Sequence, residues 1–211
     1  MHMSDGVLSL PVIVFGWVLT ILFLAFSLRR VSRISADDAA AQIPKIAVMT
    51  AAFFVASLIE IPVGPTSVHL VLAGLLGVIL GPYAFAAVFV ALFMQAAFFH
   101  FGGLSSLGAN ALNMGLCAFF AAYLYRALSK KLDKALSAGL SAALSVLLGA
   151  SIVFVFLMVS SGTFLHYAKL ELIAHAVLAV AEGVITAAAV TFILKVKPSL
   201  LPADDGEREY L

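Results

Sequence analysis

Polar side chains are so sparse along this chain that they act as punctuation. Long apolar runs alternate with short clusters of helix breakers and charge. The runs predict seven membrane-crossing helices at about 10–28, 46–62, 67–80, 83–99, 108–126, 136–160 and 172–194. Ile-Pro-Val-Gly-Pro at 61–65, Gly81-Pro82 and Gly102-Gly103 divide them. A hydrocarbon core of ~30 Å takes about 20 apolar residues to cross as a helix. The run at 67–80 is short for that, so tilt, thinning or burial against neighbours has to accommodate it. A β-barrel would show short alternating segments, and these runs are continuous. The expected fold is an all-α bundle of about seven transmembrane helices forming one domain over 1–197. Segment 1–9 would sit on the bundle, and 198–211, ending in PADDGEREYL, would be a disordered cytoplasmic tail.

Composition sharpens this reading. Of 211 residues, 64% are hydrophobic and 11% charged, whereas soluble domains carry about a quarter charged residues. A water-exposed surface cannot be built from this inventory. The net charge of +1 comes with no basic block, so nucleic acid is excluded as a partner and the lipid bilayer takes its place. The single cysteine, Cys117, lies in an apolar run, so no disulfide framework forms. Met1–Gly6 carries no positive charge, and Arg29, Arg30 and Arg33 follow the first run, the polarity of an uncleaved helix rather than a signal peptide.

Those arginines also set the orientation. Short cytoplasmic loops collect Lys and Arg. With the N-terminus outside and the C-terminus inside a cell membrane, Arg29, Arg30, Arg33, Lys45, Arg126, Lys130, Lys131, Lys134, Lys195, Lys197 and Arg208 all fall inside, and Lys169 alone falls outside. The same map places all five histidines, His2, His69, His100, His166 and His175, on the outer side. Hydropathy does not require that, and it points to an outward-facing site built from imidazole.

Met-His at a free terminus is either a chance pair on a frayed end or a chelator. The amine and the His2 amide nitrogen close a five-membered ring on a metal, and the amide with His2 Nδ1 closes a six-membered one. A further imidazole completes a square of four nitrogens, suited to Ni(II) or Cu(II). Hard Mg²⁺ and Ca²⁺ would want oxygen. Coordination through the amide releases a proton, so binding weakens as pH falls. Asp5 is expected to cap the first helix, with Gly6 permitting a tight entry.

The candidate second ligand is His69, about one turn into a helix that opens at Thr66-Ser67; a hydrogen bond to a neighbouring helix is the structural alternative. Gly74, Gly77 and Gly81 suit close helix packing. Gln95, Asn110 and Asn113 are neutral polar groups that either orient the imidazoles or tie helices together. His100 is a reserve ligand or supporting group beside a flexible Gly-Gly loop. His175 and Glu182 share one face of the last helix, Glu182 as a buried acid that is protonated, paired or bonded within the bundle. Glu60 is expected at the interface.

MHMSDGVLS, PTSVHLVLAGLLGVILGP, QAAFFHFGGLSSLGANALNMG and HAVLAVAEGVIT with the basic KVKPSLL resemble the CbiM/NikM family, the substrate-binding (S) components of energy-coupling-factor importers for cobalt and nickel. The resemblance runs from residue 1 to about 201. It implies that Ni(II) or Co(II) is the transported substrate, held by the Met1 amine, by His2 through amide and ring, and by His69. It places Asn110 and Asn113 around that set, where Ser67, His100 and His175 are further candidates. It also implies partners: a transmembrane coupling (T) component, two ATP-binding cassette ATPases and a small accessory membrane protein. The chain has no G-x-x-x-x-G-K-[ST] phosphate loop, so ATP hydrolysis belongs to those partners and the chain itself is not expected to be an enzyme.

Two other functions fit parts of the pattern. An ion-coupled secondary metal transporter would use Glu182 and His175 as proton carriers, although no internal repeat is evident. An intramembrane hydrolase would pair Ser105 or Ser106 with His175.

Overall fold

The structure is a computed structural model that describes residues 2–58, 60–63 and 66–202; of residues 60–63, 66 and 67 it describes the backbone alone. Among the described residues seven α-helices and three short strands follow one another in the order β1 (His2–Met3), α1 (Leu10–Val31), α2 (Ala36–Ala56), β2 (Glu60–Val63), β3 (Thr66–His69), α3 (Ala73–Leu80), α4 (Ala84–Phe99), α5 (Leu107–Leu128), α6 (Lys134–Ser160) and α7 (Leu165–Val196). Six helical stretches are long and apolar enough to cross a membrane, with 73–99 counting as one. The protein is a multi-pass membrane protein.

The stretch 73–99 nevertheless doubles back. His69 before it and Gln95 near its end both meet His2, while the 3-10 turn Gly81–Tyr83 lies far away, where Ser27 of α1 donates to the Pro82 carbonyl at 2.7 Å. Gly81 enables the reversal with φ +52°. Within this reversal α3 is a half-helix of eight residues preceded by a strand. This corrects the expected helices at 46–62 and 67–80. Pro62 removes a backbone donor, and β-branched Ile61, Val63, Thr66 and Val68 favour extended chain, so helix resumes only at Ala73.

The fold is accordingly not purely helical. The sheet order is β1-β3-β2, antiparallel, with His2 opposite Ser67 and Glu60 opposite His69. Pro62 occupies an edge strand, where a missing donor costs least.

Helix caps follow local sequence. Ser35 accepts from the Asp38 amide at 3.1 Å and Asp133 from Ala135 and Leu136 at 2.9 and 3.1 Å, opening α2 and α6. Every residue of α3 is buried, held between α5 and α6. Gly77 meets α5 so closely that a Cβ would lie 2.0 Å from the Ala118 carbonyl oxygen, as expected of a packing glycine. By contrast α2 buries only Phe53 completely. Residues 198–202 are not a loose tail: Pro198–Leu200 form a 3-10 turn and Leu201 is buried; 203–211 lie outside the described residues.

Candidate metal centre

The sheet brings His2 and His69 together at one end of the bundle, and both are 3% exposed. Their ring centroids are 4.5 Å apart at 33°. Four interactions hold the N-terminal strand in place. β1 pairs with β3. Asn110 clamps the Met3 peptide, its Oδ1 accepting from Met3 N at 2.9 Å and its Nδ2 donating to Met3 O at 3.0 Å. Asp5 N donates to the Gly102 carbonyl at 2.7 Å. Met3 itself is fully buried, a contribution of about 1.5–3 kcal/mol.

Asp5 does not cap α1, whose N-cap Ser9 makes no side-chain capping bond. Its Oδ1 instead accepts from the Ser105 hydroxyl at 2.6 Å and the Ser106 amide at 2.9 Å, at the start of α5. Burial opposes ionisation of Asp5, yet those bonds prevail and hold its carboxyl below the usual value. The Gly102-Gly103 stretch is correspondingly no loose loop. A Cβ on Gly103, whose φ is +118°, would sit 2.1 Å from the Asp5 carboxyl carbon.

Hydrogen bonds fix the tautomer of each ring. Gln95 uses its Nε2 to donate to Ser57 Oγ at 2.6 Å and to the Phe54 carbonyl at 3.1 Å, so its Oε1 is left to accept. That oxygen lies 3.1 Å from His2 Nε2, which therefore carries the proton and makes Nδ1 the lone-pair nitrogen. His69 is turned the other way: Nδ1 donates to the Leu70 carbonyl at 2.9 Å, and Nε2 is buried and makes no hydrogen bond among the described residues. Burial keeps both rings neutral, pushing His2 down to about 3 and His69 well below its ordinary value; the nearby imidazole of His175 adds a smaller part at His69. Neutral imidazole is the ligating form.

The other candidates separate clearly. The Met1 amine and the Ser67 and Glu60 side chains lie outside the described residues. His100 is the exposed C-cap of α4 and His166 is exposed too, so neither joins the pair. Asn113 is buried on α5 one turn beyond Asn110. Glu182 accepts from the Val71 and Leu72 amides, the latter at 2.9 Å, and so satisfies the backbone where β3 gives way to α3. His175 is fully buried on α7 against Glu171. Ser105 is engaged by Asp5 rather than by His175, so the hydrolase pair is not assembled.

Sequence reasoning missed Ser57, Glu171 and the true partner of Asp5. Ser57 carried no distinguishing local pattern, whereas Glu171 could have been found from its place four residues before His175 on one helix face. The partner of Asp5 could have been suspected from Ser-Ser before an unclaimed helix start at 107.

Among the described residues no three His, Cys, Asp or Glu side chains converge as a metal site.

Residues 2–200 match the CbiM family, described as the cobalt uptake substrate-specific transmembrane region. The chain belongs to the CbiM family. A Haemophilus influenzae protein named for metal transport is 34% identical over 206 residues, covering 95% of this chain and 97% of its own. An Archaeoglobus fulgidus protein named for fused nickel transport, NikMN, is 31% identical over 211 residues, covering 95% of this chain and 68% of its own. The structure resembles a crystal structure of a transition metal transporter at a TM-score of 0.84 and 27% identity, over 93% of each chain.

Proposed function

We propose that this CbiM-family protein is the substrate-binding component of an energy-coupling-factor importer for Ni(II) or Co(II). The metal substrate is taken from the outer face and bound by the Met1 amine, the His2 amide nitrogen, His2 Nδ1 and His69 Nε2. One observation carries the reading: Gln95 and Leu70 engage opposite nitrogens of the two rings, leaving as bases the nitrogens such a square requires. A four-nitrogen plane suits Ni(II), and relatives are named for both nickel and cobalt.

Orientation follows from charge. Arg29, Arg30, Arg126, Lys134 and Lys195 sit at helix ends remote from the sheet, so the sheet faces outward and the basic end inward. Energy comes from partners: a transmembrane coupling component and two ATPases, with a small accessory membrane protein. The N-terminal strand acts as the lid over the ion, because the segment that supplies ligands is the segment clamped by Asn110 and Asp5.

Adding one glycine before Met1 tests this directly. It moves the amine out of register and leaves every side chain intact. Tight Ni(II) and Co(II) binding to the purified protein should vanish; unchanged affinity would remove the amine and amide from the site.

A further inference from the structure

Glu182 is fully buried on α7, and its carboxylate is turned onto the backbone of a distant segment. Between the end of β3 at His69 and the start of α3 at Ala73 only Leu70, Val71 and Leu72 intervene. The Val71 and Leu72 amides have left the strand ladder and are not yet part of a helix, so each needs an acceptor from elsewhere. Glu182 supplies it: Oε1 accepts from Val71 N and from Leu72 N, the latter at 2.9 Å, and Oε2 also lies 2.9 Å from Leu72 N. Leu72 is held there in the left-handed region, with φ +50° and ψ +12°, a conformation that costs a leucine energy and persists only under outside constraint. That constraint comes from a residue 110 positions further along the chain.

The Val71 amide belongs to the same peptide unit as the Leu70 carbonyl. That carbonyl is the group that accepts from His69 Nδ1 at 2.9 Å. A peptide unit is planar, and in a trans unit its N–H and C=O point in opposite directions. A bond at one end therefore sets the direction of the other. Glu182 fixes the Val71 N–H and so aims the Leu70 carbonyl; the carbonyl keeps the His69 proton on Nδ1 and leaves Nε2 as the base. Rotation of that one plane would release the ring and let either nitrogen take the proton.

We infer that Glu182 is a positioning residue for His69, acting through the single peptide group between Leu70 and Val71. The inference rests on the proposed metal site and names what orients its His69 ligand. Partners of this kind, one bond removed from a ligand, fix the tautomer and ring direction that ligation needs. The relay depends on reach rather than on charge. An oxygen at the Oε1 position, where both amides already converge, holds the plane. A shorter side chain with the same charge does not.

The test uses the full chain with its histidine ring nitrogens isotope-labelled and read by NMR without metal, and Ni(II) affinity measured by calorimetric titration. His69→Ala identifies the His69 signals. In the parent they should show one fixed tautomer, with the proton on Nδ1. Glu182→Gln, which keeps an oxygen at full reach, should retain that tautomer. Glu182→Asp, which keeps the carboxylate but withdraws it by one methylene, should give mixed tautomers and lower Ni(II) affinity by about 10–100-fold. Both variants keep an acceptor for the buried amides, so both are expected to fold. Gly77→Ala, which strains α3 without touching the relay, should move neither readout. An Asp variant with the parent's tautomer and affinity overturns the relay. So does a Gln variant impaired as much as the Asp one, because the effect would then belong to charge. Ni(II) affinity left intact by His69→Ala defeats the metal site itself, and the positioning role falls with it even where the tautomers behave as expected.

Discussion

His69 and His175 display the same nitrogen by different means. His69 ends a strand, and its ring is placed by a sheet whose members come from residues 2–3, 60–63 and 66–69. His175 sits inside a helix, and its ring is placed by Glu171 one turn earlier, whatever the rest of the chain does. The first arrangement is a tertiary product of β3 pairing with β2, with β1 docked beyond it at Thr66 and Ser67. The second is local and persists while α7 is helical. One placement is conditional on the sheet, the other fixed by the helix.

Experiments that remove the conditional half should have the largest effects. His69→Ala deletes a donor and should lower Ni(II) affinity by well over the ~10–100-fold typical of supporting residues, measured by calorimetric titration of the purified protein. His2→Ala should do the same, while exposed His166→Ala should leave affinity as it was. Gln95→Ala comes next. It frees the His2 ring from its orienting bond and should cost about 10–100-fold in affinity, and Asn110→Ala, which releases the Met3 peptide, should match it.

Acid attacks the same half without mutation. His2 titrates near 3 in the folded protein and about 6.5 when released, so between those values the undocked chain binds the extra proton. Stability is therefore full above pH ~6.5 and declines as pH falls toward 3. Thermal unfolding of the metal-free protein from pH 7.5 to 5 should show that slope, and His2→Ala should reduce it, the remainder including the share of His69, whose buried ring is held down in the same way. The smallest effect on binding is expected from Gly77→Ala. It overpacks the α3–α5 contact and should cost about 1–3 kcal/mol in stability, while the folded fraction keeps its metal affinity.

Much of the site was legible before any coordinates. Met-His, His69, Gln95 and Asn110 each stood out as polar groups in apolar surroundings, and the physics of a bilayer makes such groups conspicuous. Asp5 and Gly103 were misread because their partners are a hundred residues away from one another in sequence: Asp5 looked like the nearest helix's cap and the double glycine like slack. His69 was assigned to a helix because the apolar run beyond it is helical, and the prolines before it were taken only as a boundary. Glu182 was recognised as a buried acid, but its acceptors, the amides at the start of a half-helix, appear only once that half-helix is seen.

What the sequence by itself determined is the medium: apolar runs of bilayer length demand helices that satisfy their own backbone. What only the tertiary structure decided is which nitrogen of each buried ring is left as the base. That choice depends on Gln95 reaching His2, on a strand rather than a helix carrying His69, and on Asn110 fixing Met3. These contacts link residues dozens to over a hundred positions apart, and no local pattern encodes distances of that kind.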